Sequence, residues 1–405
     1  MPSPFATPPH PVPAHALTPF QIAIPDTALQ TLQTLLTLSP IAPPNWENAA
    51  THAGRFGAPR DWLVAAAHHW QTWDWRAKER ELNSVPHFKL AVADDGGVGT
   101  TTVHFAALFS PRRDAVPLLL LHGWPGSFVE FLPILTKVQA RHADAPGDLP
   151  FHVVVPSLTG YGFSDPPPHD RDFSHVDQAR VMARAMAALG FERYVVQGGD
   201  VGSVVATAMA ARYAEAAALH LNMAMLGAPP KGLDPAKVEY SERELESLER
   251  AKKFWESESD YAKLHGHKPS TVGLAVGSSP IALLAWIGEK MLAWSDPASQ
   301  PSLDQIVTNI SIYWFTGCYP SSIWFYRNIV DRSRASATIE EVKGKPVGFS
   351  MFPKEISTPP KAWRDAVGNF TWTRQHEKGG HFAALEQPDV LWKDIVDFVN
   401  ESWKN

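Results

Sequence analysis

The sequence predicts an α/β fold with a mostly parallel central sheet, an inserted helical cap and an N-terminal extension. Three observations carry this. Short, wholly apolar runs at residues 118–121 and 151–155 have the length of strands buried on both faces. Helix-periodic segments alternate with such runs. Between residues 226 and 347 the alternation gives way to mostly helical material, which reads as a cap over the carboxyl ends of the strands, where open α/β sheets bind ligands.

The elements follow in order. Residues 1–17 are rich in Pro and Ala and lack both a basic start and a continuous apolar stretch, so they read as a disordered start and not as a signal peptide. Residues 18–90 form the N-terminal extension. Within it, leucines at 29, 32, 35 and 36 predict a short helix over 27–38, and residues 61–80 predict one helix with an aromatic face. The first part of the core spans 91–226. Strands are expected at 89–93, 103–108, 118–121, 151–155, 194–197 and 220–226. Ser174 with Asp177 opens a helix that Gly190 closes, and a second helix is expected over 204–216. The cap spans 227–340, entered through Gly227-Ala228-Pro229-Pro230, with helical stretches at 239–263, 281–294 and 306–315. The second part of the core, 341–405, supplies strands at 347–351 and 370–373 and a last amphipathic helix over 388–403.

Composition narrows the function. A chain of 405 residues with 44% hydrophobic content can bury a full core. The net charge of -6 without a basic block points away from nucleic acid and anionic membranes. No segment is long and apolar enough to span a bilayer. The lone cysteine, Cys318, permits no intramolecular disulfide and reads as packing. A soluble, cytoplasmic protein is expected.

The chemistry is concentrated at Gly198-Gly199-Asp200-Val201-Gly202, after the apolar run at 194–196. This has the shape of a G-x-S-x-G nucleophile elbow with Asp in place of Ser. Alone, Asp and Gly together are ordinary turn chemistry. Chain order argues otherwise, because an elbow nucleophile should be followed by an acid and then a histidine, each after a late strand. Glu355 follows the strand at 347–351, with Asp365 as its competitor. His381 follows the strand at 370–373 behind two glycines, with His376 as its rival. The loop Leu121-His122-Gly123-Trp124-Pro125-Gly126 ends an early strand, and the N–H groups of Trp124 and Val201 can hold a developing oxyanion. Trp124-Pro125 is a candidate cis bond. A carboxylate is already ionised at neutral pH and suits displacement at an electrophilic saturated carbon.

His122-Gly123-Trp124-Pro125-Gly126-Ser127-Phe128, Gly160-Tyr161-Gly162-Phe163-Ser164, the elbow, and Gly379-Gly380-His381-Phe382-Ala383-Ala384-Leu385-Glu386 together resemble the epoxide hydrolases of the microsomal and fungal type, most of all the soluble fungal members. The segment through Trp73, Arg76, Leu82 and Asn83 is similar to that family's N-terminal extension. The resemblance spans roughly residues 18–403 and implies an α/β-hydrolase fold, with Asp200 as nucleophile, His381 as base and Glu355 as its acid. It also implies two cap tyrosines that bind and protonate the epoxide oxygen, matching Tyr261 and Tyr326. By their surroundings alone these two do not stand out from Tyr240, Tyr313 and Tyr319. The implied partners are a small apolar epoxide and water, with no metal or organic cofactor. A homodimer is compatible with the sequence. Two other functions share these residues: a haloalkane or haloacid dehalogenase on the same Asp-His-Glu set, and a ligand-binding protein without catalysis.

Overall fold

The apolar runs pair into one nine-stranded sheet. The computed structural model describes residues 3–52, 54–94, 97–226, 228–331 and 340–404. The strands are β1 (Leu17–Phe20), β2 (His87–Asp94), β3 (Gly99–Leu108), β4 (Val116–Leu121), β5 (Phe151–Pro156), β6 (Tyr194–Gly198), β7 (Ala216–Leu221), β8 (Val342–Met351) and β9 (Gly368–Gln375). Their order is β1-β2-β3-β5-β4-β6-β7-β8-β9. The first three pairings are antiparallel and every pairing from β5 to β9 is parallel. The continuous hydrophobicity of the central strands has a direct cause. Leu119, Leu121, Val154 and Val196 enter the core on one face, and Leu118, Leu120, Val153 and Val195 enter the core on the other. Each such side chain stabilises the fold by roughly 1.5–3 kcal/mol.

The chain runs from β4 to β5 on one side and then crosses to β6 on the other. This places the topological switch at the carboxyl ends of β4 and β6, where such sheets form their binding crevice. Leu121 and Gly198 are register partners across that pair.

Several boundaries differ from expectation. The segment expected as one helix over 61–80 is two helices, Arg60–Thr72 and Trp75–Leu82. Trp73 is extended between them, and Asp74 caps the second by accepting the Ala77 N–H at 2.9 Å. The elbow helix is Asp200–Arg212, not 204–216. Ala216 instead begins β7, which ends at Leu221. Alanine-rich segments suit helix or buried strand, and pairing with β6 and β8 decides. Asn222 leaves the sheet to accept the Gln197 amide N–H at 2.8 Å. The Pro-rich start is packed where it is described. Phe5 is fully buried, its carbonyl accepts the Phe109 N–H at 3.0 Å, and His10 lies edge-on to Phe191. Proline removes donors and fixes φ, but it does not prevent docking. Residues 1, 2 and Gly227 lie outside the described residues.

The insertion is helical: Glu242–Lys253, a π-helical turn at Phe254–Glu258, Asp260–His267, Pro269–Gly277, Pro280–Ala293, Leu303–Thr316, and the short turns Tyr319–Ser322 and Tyr326–Val330. Among the described residues no single helix is long and apolar enough to cross a membrane. The helices of residues 26–82 brace the insertion. Trp70 Nε1 donates to Ser311 Oγ at 2.9 Å, and Gly288 leaves room for the Trp62 ring, which a Cβ there would strike.

That buried indole–hydroxyl bond should be measurable. Trp70→Phe removes the donor and also shrinks the buried ring, so urea unfolding should show a loss of about 2–3 kcal/mol, the lost bond plus the cavity. Ser311→Ala, which leaves the indole N–H without its acceptor, should cost about 1–2 kcal/mol. The double variant should cost less than the two losses added, because both remove one bond.

Candidate active site

At the switch point the β6 strand turns sharply into its helix. Asp200 sits at the turn with φ 47°, among the described residues the one non-glycine with positive φ. Close packing forces the small neighbours. A Cβ on Gly198 would strike the Gly202 carbonyl, one on Gly202 would strike the Leu121 carbonyl, and one on Gly123 would overlap the Asp200 carboxylate. The Asp200 Oδ1 atom accepts the Trp124 N–H at 2.7 Å. Val201 is the second residue of the same helix, where N–H groups have no intrahelical acceptor. The Trp124-Pro125 bond is cis, as the turn suggested.

His381 and Glu355 arrive on the loops after β9 and β8. Those loops are stitched together where the Lys354 N–H donates to the Gly379 carbonyl at 3.0 Å. His381 Nδ1 contacts Glu355 Oε1 at 2.7 Å, and His381 Nε2 lies 3.5 Å from Asp200 Oδ2. Glu355 is fully buried, and its Oε1 also accepts the Ile356 N–H at 2.6 Å. The two rivals lie elsewhere. His376 pairs with Asp394 at 2.5 Å and stacks on Phe352, while Asp365 pairs with Lys361.

Three residues that sequence reasoning missed hold the histidine loop. The Trp294 carbonyl accepts the His381 N–H at 3.0 Å, and its ring stands edge-on to the imidazole. Asp296 accepts the Gly379 N–H at 2.8 Å. Glu386 accepts the N–H groups of Asp296 and Phe382, and burial pushes its carboxyl up to about 7. Glu386 belongs to the quoted motif, so it was within reach. Trp294 and Asp296 come from the insertion, and no local pattern marks them.

Tyr261 and Tyr326 converge over Asp200. Their ring centroids are 5.6 Å apart and their hydroxyls hydrogen-bond to one another. Tyr261 stacks on Trp124 at 5.4 Å, and Tyr326 meets the same indole edge-on at 5.5 Å. The other cap tyrosines are engaged elsewhere: Tyr240 with Trp363, Tyr313 with the Gly126 carbonyl, Tyr319 with His265. A cavity of about 280 Å³ lies between Asp200 and the two phenols, lined otherwise by Met223, Met225, Phe254, Ile356 and similar apolar groups.

The electrostatics suit these positions. Burial raises both phenols, and the charge of Asp200 raises them further, so each is a neutral O–H donor. At His381, burial opposes the charged ring. The charge of Glu355, the bonds to Asp200 and Glu355, and the charge of Asp200 outweigh burial and hold the imidazole well above its ordinary value.

Fold and site define an α/β hydrolase with an aspartate at the elbow. The chain matches the family described as epoxide hydrolase N terminus over residues 17–131 and the alpha/beta hydrolase fold family over 116–272. Epoxide hydrolase 1 of Oryctolagus cuniculus is 33% identical over 95% of this chain and 89% of its own length. The solved structure of Aspergillus niger epoxide hydrolase superposes with a TM-score of 0.87 at 43% identity, covering 98% of this chain and all of that one. Juvenile hormone epoxide hydrolase from Bombyx mori superposes with a TM-score of 0.83 at 25% identity, covering 95% and 94%. The chain belongs to the epoxide hydrolase family. These relatives lend the dehalogenase alternative no support.

The histidine's charge can be tested directly. Glu355→Gln removes a buried negative charge beside the ring, so the His381 resonances should titrate at lower pH than in the wild type. The sign for stability follows. A raised histidine contributes fully below its unfolded value of about 6.5 and loses that contribution as pH rises through the folded value. Glu355→Gln should flatten that loss, and an unchanged ring titration would contradict the assignment.

Proposed function

We propose that this enzyme hydrolyses small apolar epoxides to vicinal diols in two steps, through an ester of Asp200. The observation that carries the proposal is the placement of the Asp200 carboxylate opposite two neutral phenols across a mostly apolar cavity. An epoxide carbon is electrophilic, but its oxygen leaves poorly without an acid. Asp200 Oδ2 attacks a ring carbon, the C–O bond breaks, and the oxygen takes a proton from the Tyr261–Tyr326 pair. Oδ1 remains on the Trp124 N–H and becomes the ester carbonyl.

Forming the ester removes the charge of Asp200. One of the influences that holds His381 protonated disappears, so the ring gives its proton, through solvent, to the phenolate left by ring opening and becomes free to act as base. His381 Nε2 takes a proton from water, and the hydroxide attacks the Asp200 carbonyl carbon. The oxyanion is stabilised by the N–H groups of Trp124 and Val201. Collapse expels the diol oxygen, which takes the proton from His381. The acid proton of Asp200 then passes to His381, which restores the starting charge state. Glu355 orients the imidazole throughout.

Two predictions test the two steps separately. Tyr261→Phe and Tyr326→Phe should each slow ring opening about 100-fold, by analogy with the loss of one oxyanion donor. The double change should nearly abolish it in rapid-mixing single turnovers. An unchanged alkylation rate in the double variant would remove these phenols from the reaction. His381→Gln should react once with styrene oxide and stall, raising the intact mass by one substrate with the adduct mapped to Asp200. A single wild-type turnover in heavy-oxygen water should label Asp200; label only in the diol would refute the ester.

A further inference from the structure

Glu130 has no part in the chemistry so far, yet it is a buried carboxyl beside the nucleophile. It lies in the short 3-10 turn Phe128–Phe131, just after the Trp124 loop, and is 9% exposed. Among the described residues no other side chain hydrogen-bonds to its carboxyl, and its own backbone N–H donates to the Ser127 carbonyl at 3.0 Å. The carboxyl reaches the site because Gly126 has no side chain, since a Cβ there would overlap Glu130 Oε1.

A second cavity of about 20 Å³ lies behind Asp200, bounded by Glu130, His381, Trp124 and Asn222 among others. This is room for one water, which needs at least ~10–15 Å³ and two to four polar partners. Asp200 is the one residue lining both this cavity and the 280 Å³ cavity below the phenols. The nucleophile therefore stands as a partition. The apolar side faces the substrate, and the other side faces the base.

We propose that Glu130 positions the hydrolytic water in this second cavity, holding it between His381 and the Asp200 carbonyl carbon for the second step. This rests on the two-step reading above and assigns the place from which water attacks. A base alone does not fix the direction of approach, and a displacement of about 1 Å can cost roughly 100-fold in rate. Burial pushes the Glu130 carboxyl up to about 8, although the nearby His381 charge works against this. Near neutral pH it is thus mostly protonated, able to donate one hydrogen bond and accept another without competing with His381 for the proton.

The test separates the half-reactions with styrene oxide in rapid-quench single turnovers of the full chain. Glu130→Leu should alkylate within about threefold of wild type and hydrolyse the ester about 100-fold more slowly, with the Asp200 adduct accumulating in intact mass spectra. Glu130→Gln, which can still donate and accept, should recover most of the hydrolysis rate. If Glu130→Leu does not fold, Gly126→Ala serves, because its methyl must push the Glu130 carboxyl aside; the same selective loss is expected. Wild-type ester hydrolysis in Glu130→Leu or in Gly126→Ala would overturn the proposal, as would an equal fall in both half-reactions, which marks a merely structural role. Failure of the ester reading is distinguishable, since His381→Gln would then accumulate no Asp200 adduct.

Discussion

The close approach of the β4 and β6 ends is the constraint on which the site depends. Leu121 and Gly198 pair at the last residues of their strands, and the two loops that leave them share one small volume. Gly123, Gly198 and Gly202 are required there because a methyl group at any of them would strike backbone or the Asp200 carboxylate. The same crowding holds Asp200 in the left-handed region, at a cost of about 1–3 kcal/mol that the surrounding sheet offsets. The result is a carboxylate that projects from the first turn of a helix into the crevice, with the Trp124 N–H already on one oxygen.

From that position the charges arrange themselves by proximity. Two carboxylates, Asp200 and Glu355, flank one imidazole in a buried setting, and the ring is held well above its ordinary value despite burial. Such an arrangement suits a reaction in which the nucleophile loses its charge partway through. In the proposed route the histidine is charged before the ester forms. Afterwards its largest remaining neighbour is Glu355. A serine elbow needs its base in both steps, whereas the proposed route needs it only after Asp200 has reacted.

The phenol side depends on packing more than on charge. Trp124 gives its backbone N–H to Asp200 and its ring to both tyrosines, so one residue links the elbow to the cap. His265, held by Tyr319 and Trp286, fills the space behind these rings. Trp294 extends the same aromatic layer to His381. The N-terminal helices brace this layer from outside through Trp70 and Trp62, which gives a mechanical reason for an extension that adds no group to the site.

By itself the sequence determined the α/β alternation, the elbow, and the order of acid and histidine. Each of these is written in short-range patterns: apolar runs, glycines around one aspartate, and loops after late strands. The helix boundaries in alanine-rich stretches were not so written, because residues 200–221 suit helix and strand alike and sheet pairing decided between them. The break at Trp73 was legible only through Asp74 as a cap. Tyr261 and Tyr326 were singled out among five cap tyrosines by family resemblance, and in the structure the other three hydroxyls bond elsewhere. What only tertiary structure decided is the set of long-range contacts: Trp294 and Asp296 on the histidine loop, and Glu130 in the cavity behind the nucleophile. No periodicity or local motif encodes these, because they arise where segments more than 60 residues apart along the chain meet at the ends of adjacent strands.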